Sequence, residues 1–193
     1  ADDQNSACAV ANKELDHWLR LIPKKDLAHY GFLNEGEFST ATLDKPIPVY
    51  YIDFEQIRKY KGEDISSFLS PFSDRWIFPI KVASQIRLFL TVARTNDLCK
   101  VVEIGRHRVA VQLNSLKSKL AADINLHRLK FITVLTDSSR LIFLLSGEEN
   151  KNLKLIPLES ARVFLHYGSL SEMKKESLKP EDILFKLKKL IQQ

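Results

Sequence analysis

Glycine is scarce, with six in 193 residues, so the loops that cradle phosphates through bare backbone have little raw material. No Gly-x-x-x-x-Gly-Lys-Ser/Thr, Gly-x-Gly-x-x-Gly or Gly-x-Ser-x-Gly occurs, and His-Glu-x-x-His is missing too. The signatures of P-loop enzymes, dinucleotide-binding sheets, α/β-hydrolases and zinc peptidases are therefore excluded, and no cofactor is implied. No apolar run approaches the roughly 18 residues that a membrane-spanning helix needs. Cysteine is limited to Cys8 and Cys99. At that separation they cannot form a Cys-x-x-Cys redox or zinc motif. They are either a candidate disulfide that pins the first helix to the sheet, or two unrelated buried thiols acting as small hydrophobes.

Methionine occurs once, at Met173, and the chain opens on the polar run ADDQNSA. That start matches a mature secreted or periplasmic protein whose signal peptide has been removed at small residues. A cut made elsewhere in a longer chain leaves the same start, and a cytoplasmic protein is the alternative.

What is present is ordinary globular composition, 45% hydrophobic and 27% charged. The net charge of +5 is spread over several short groups. They are Lys24-Lys25, Arg58-Lys59-Lys61, Arg106–Arg108 and a C-terminal set of Lys174, Lys175, Lys179, Lys186, Lys188 and Lys189. No aromatics interleave with these groups to stack on bases, so they read as solvated faces and nucleic acid is not the expected partner.

The hydrophobic periodicity predicts an α+β fold in one domain, 1–193. Its parts are an N-terminal helix and irregular aromatic-rich region over 1–70, a sheet core over 75–158, and a C-terminal helix over 179–193. In residues 7–21, Val10, Leu15, Trp18, Leu19 and Ile22 share one side of a helix, with Asn5 or Ser6 as cap and Pro23 as terminator. VYYIDF at 49–54 is the first strand. WIFPIKV, IRLFLTVA and KVVEIG form a meander with hairpin-length links. Val109, Leu113, Leu116 and Leu120 define a helix, after which 129–135, 141–145 and an edge strand over 153–158 return to the sheet. Pro180 opens a last helix with Ile183, Leu184, Leu187, Leu190 and Ile191 on one face, and that face is expected on the protein core rather than on a membrane. The predicted architecture is a single antiparallel sheet of about five to seven strands, order β-β-β-β-α-β-β-β, with helices on one face and amphipathic helices at both termini.

Few residues suggest chemistry. Glu14-x-x-His17 and Asp26-x-x-His29 each set a carboxylate and an imidazole one helical turn apart, but a di-iron bundle needs further helices that this chain lacks. Metal ligands are therefore not expected. Cys99 with His107 or His127 has the residue types of thiolate catalysis, and Asp53, Glu55 and Glu103 could meet across a sheet. Nothing in their spacing favours either arrangement, so no catalytic residue is assigned.

The sharpest oddity is Gly105-Arg106-His107-Arg108, which puts three cationic side chains where a helix begins. A helix start already carries partial positive charge, so the cluster makes sense if an anion or a partner's acidic side chain sits there; otherwise the cations splay into water or Arg106 pairs with Glu103. Twelve of the eighteen aromatics precede residue 79. They fill a core or, around Tyr50, Tyr51 and Trp76, line a pocket.

The sequence reading is a non-catalytic binding or interaction module, with a protein or a small anionic ligand as its partner. The alternatives are an accessory or inhibitory domain that uses a sheet edge such as 153–158, and an enzyme of unfamiliar type built on Cys99 or a carboxylate pair.

Overall fold

The computed structural model describes residues 2–119, 128–136, 140–148, 151–169, 173 and 177–192. The predicted positions Leu120, His127, Lys174 and Lys175 lie outside the described residues. The chain divides into two compact units, Ala1–Ile47 with Ser73–Ala121, and Pro48–Phe72 with Ala122–Gln193. The fold is α+β, with helices at both termini.

The first unit opens with α1 (Asp2–Arg20). It starts earlier than the apolar spacing predicts, because Ala7 and Ala11, both fully buried, extend its packed face toward the N-terminus. Asp3 also pairs with Arg94 at 2.6 Å, so Asn5 and Ser6 are interior rather than caps. A 3-10 turn over Lys24–Tyr30 then ends on Gly31 at φ 85, the left-handed terminator that glycine adopts cheaply.

Next come β1 (Thr42–Leu43), β4 (Arg75–Val82), β5 (Gln85–Thr95) and β6 (Leu98–Gly105), hydrogen-bonded in the order β1-β4-β5-β6. Both tight hairpins have two positive-φ residues at the tip, Ala83-Ser84 and Asn96-Asp97. That pair of conformations matches the right-handed strand twist. Helix α1 buries its stripe with Phe78, Ile80, Val82, Leu88, Leu90 and Val92. The alternate residues Phe89 and Thr91 are also buried, and α3 (His107–Lys119) packs on β5 through Ala110, Leu113 and Leu116. The central strand β5 is thus covered on both faces, where helices were expected on one face of the sheet.

The second unit holds β2 (Val49–Asp53), β3 (Ser70–Pro71), β7 (Lys130–Leu135), β8 (Arg140–Glu148) and β9 (Lys151–Pro157), in the order β3-β2-β7-β8-β9. Helices α2 (Phe54–Lys59), α4 (Glu159–Phe164) and α5 (Pro180–Ile191) share a core with one face of this sheet. In it Ile57, Ala161, Ile183, Leu184 and Leu187 meet Ile52, Ile132, Val134, Leu141 and Phe143. As predicted, α5 carries proline in its first turn and packs its apolar stripe on the protein. Strand β9 lies at the sheet edge, where Pro157 leaves no ladder donor unused.

One sheet was predicted and two are present, one of four strands and one of five. The cause is a non-local pairing. Strand β2 does not join the meander that follows it; it runs parallel to β7, from Val49 opposite Phe131 to Asp53 opposite Leu135. A parallel pair needs a long crossover, and this one carries the chain through β4, β5, β6 and α3 before it returns as β7. The five-stranded sheet is consequently mixed rather than antiparallel. No helix among the described residues is long and apolar enough to cross a membrane.

Candidate functional site

A cleft of about 410 Å³ lies in the second unit. Three segments build it: the loop after α2, the start of β9 and the start of α5. The first is shaped by Gly62 at φ +107, and Lys188 Nζ donates to the Tyr60 carbonyl at 2.6 Å. Within it the Lys61 N–H donates to Glu63 at 2.7 Å, and Asp64 caps the turn that follows by accepting from the Ser66 N–H at 2.8 Å. Asn152 at φ 53 and Leu153 come from the hairpin, where the register between β8 and β9 shifts around Gly147. Lys179, Pro180 and Glu181 come from the helix start.

The electrostatics of this cleft are acidic. Glu63, Asp64 and Glu181 line it against one ammonium, Lys179. Backbone N–H groups, chiefly that of Lys61, hold the Glu63 carboxyl below the usual range, and the Ser66 side chain and N–H do the same for Asp64. Both therefore stay ionised. Burial pushes the Tyr60 phenol up, with help from the negative charges of Glu181, Glu63, Asp64 and Asp182. The cleft thus sets exposed carboxylates beside a buried, neutral phenol. No group of three or more His, Cys, Asp or Glu side chains among the described residues is arranged to hold a metal ion.

A second groove, about 370 Å³, lies in the first unit between the start of β5 and the α3 face carrying His107, Val111, Asn114 and Ser115. Its wall is pinned at both ends. The Asn114 side chain accepts from the Ile86 N–H at 3.2 Å and donates to the Ile86 carbonyl at 2.8 Å. His107 Nδ1–H donates to the Arg87 carbonyl, which fixes the tautomer because a carbonyl can only accept. Arg87 is the extra residue of a β-bulge: Ile80 faces Leu88 and Lys81 faces Ile86, leaving Arg87 unpaired in the ladder. Its guanidinium donates to the Gly31 carbonyl and to Glu37 Oε1, each at 3.1 Å.

The residues singled out from the sequence fall as follows. Arg106 forms a two-point contact with Glu103, at 3.0 and 3.3 Å, the local pairing that the sequence also allows. His107 spends Nδ1 on Arg87 and lines the second groove, and Arg108 is exposed. Tyr50 and Tyr51 lie on β2 in the second unit, Tyr50 under the Lys130 ammonium and Tyr51 against Phe72. Trp76 belongs to the first unit and packs against the α1 cluster.

Cys8 and Cys99 are free, half-buried and in the same unit. Cys99 lies near the start of β6 and His107 opens α3 beyond its far end, with about 20 Å of strand between Cys99 and Gly105 at 3.3 Å per residue, so this pair forms no nucleophile and base. Asp53 caps α2 and Glu55 pairs with Arg58, while Glu103 lies in the other unit.

The cleft at Tyr60, Glu63, Asp64 and Glu181 was not picked out from the sequence. Tyr60, Glu63 and Asp64 are near neighbours in sequence, but Glu181 lies more than a hundred residues on, so no local motif spans the cleft. No family model, curated protein or solved structure matched this chain.

Proposed function

We propose that the protein is a non-catalytic binding module whose second unit accepts a cationic group, such as a lysine or arginine side chain of a protein partner. The observation that carries this reading is the acidic cleft, whose carboxylates come from the loop after α2 (Glu63 and Asp64) and the first turn of α5 (Glu181). Clefts of a few hundred Å³ with a few fixed polar groups are the usual form of small-ligand sites, and loops held by a scaffold are where binding residues concentrate. The separated carboxylates suit an extended organic cation.

The alternative of a partner strand added to β9 has less to work with. The Leu155 N–H already donates to the Leu178 carbonyl at 2.8 Å, and Pro157 has no N–H.

The test is a titration with a short lysine- and arginine-containing peptide, followed by amide NMR. Saturable shifts confined to 60–65, 152–153 and 179–181 are expected, and they should weaken as salt rises. Glu63→Gln with Glu181→Gln should weaken binding measurably, since the pair removes two of the three carboxylates that line the cleft, and the loss should shrink as salt rises because both side chains are exposed. In the same variant the Tyr60 phenol should titrate closer to its ordinary value. Shifts that never saturate, or that ignore the double substitution, would remove the proposal.

A further inference from the structure

The two thiols share one interface. Cys8 sits on α1 and Cys99 at the start of β6, and both pack against the same apolar cluster between helix and sheet. Helix α1 lies directly on β6. The buried helix residues flanking Cys8 are Ala7 and Ala11, both 0% exposed, so no bulky side chain holds the helix off the strand at that level. The helix is also registered along the strand. Asp3 pairs with Arg94 at 2.6 Å, and Arg94 lies directly opposite Cys99 in the β5–β6 ladder. Cys8 follows Asp3 by little more than one helical turn, which keeps it near the same end of β6.

We propose that Cys8 and Cys99 form an intramolecular disulfide when the protein meets a disulfide oxidant, locking α1 onto the sheet. With glutathione disulfide as oxidant, one protein thiolate attacks a glutathione sulfur and releases one glutathione thiolate. The second cysteine thiolate then attacks the resulting mixed disulfide on the protein sulfur and releases the other. Two protein thiols are oxidised to one disulfide, one glutathione disulfide is reduced to two glutathiones, and both protons end on glutathione. The lock is independent of the acidic cleft, which lies in the other unit.

The experiment treats the native protein with a glutathione redox buffer at low protein concentration, then applies non-reducing peptide mapping, intact mass and urea unfolding. The expected result is a monomer that has lost two hydrogens, a Cys8–Cys99 linked peptide, and a higher urea midpoint that reductant reverses. Cys8→Ser and Cys99→Ser should each abolish the link and the gain in midpoint. If either variant folds poorly, native protein alkylated before oxidation serves as the unlinked reference. Stable mixed disulfides with glutathione, disulfide-linked dimers, or a link that forms only in denaturant would each overturn the proposal.

Discussion

Replacing Gly31 by alanine tests whether the first unit is held at one point by backbone conformation and a side-chain clasp together. Gly31 sits at φ +85, where a residue with a Cβ is strained by about 1–2 kcal/mol. A Cβ there would fall on the His107 ring and within 3.2 Å of the Arg87 carbonyl. His107 cannot step aside freely, because its Nδ1–H is bonded to that same carbonyl. Displacing the ring gives up that hydrogen bond, about 1 kcal/mol net. The expected total for Gly31→Ala is therefore about 2–3 kcal/mol.

The assay is urea unfolding followed by tryptophan fluorescence, which reports on this unit because both tryptophans, Trp18 and Trp76, pack against its core. The decisive comparison is the same substitution in a His107→Ala background. With the ring gone, only the backbone cost of about 1–2 kcal/mol should remain. An equal cost in both backgrounds would show that glycine and imidazole do not touch in solution.

Further outcomes can be checked in parallel. Leu184→Ala, at a fully buried position of α5, should destabilise by about 2–5 kcal/mol in urea melts followed by far-UV circular dichroism. Leu21→Ala, at a position 57% exposed, should stay within about 0.5 kcal/mol, and similar losses in the two would count against the packing of α5. Asp44 is held below the usual carboxylate range, first by the hydrogen bond from the Lys81 ammonium and then by the Lys45 N–H. A depressed folded-state value stabilises above the ordinary carboxyl range, near pH 4, and the contribution is lost as pH falls through the lower folded value. Native protein and Asp44→Asn should therefore differ at neutral pH and converge in acid. The gap should stay below about 1 kcal/mol because the carboxylate is 43% exposed. A gap that widens in acid would reverse the assignment.

The sequence by itself determined the local elements. The meander appears as β4, β5 and β6 because alternation and hairpin-length links are short-range signals. Gly31 ends its turn, Pro180 opens α5, and the α5 stripe is buried, each from chemistry contained within a few residues. Asp53 and Gln56 form a capping box at the start of α2, again a signal contained within four residues.

Tertiary structure alone decided which strands pair, and with that the number of sheets. An apolar strand fits any neighbour of suitable length, so nothing within 49–54 specifies the parallel partner at 130–135 rather than the adjacent meander. The acidic cleft was decided in the same way. Its carboxylates come from 63–64 and 181, and only packing α5 beside the loop after α2 brings their charges to one place. Arg106 shows both levels in one residue: the sequence made its charge conspicuous at a helix start, and the strand geometry that placed Glu103 beside it neutralised that charge. Periodicity is set by bonds along the chain, whereas pairing and electrostatic neighbourhood are set by surfaces that meet only after folding.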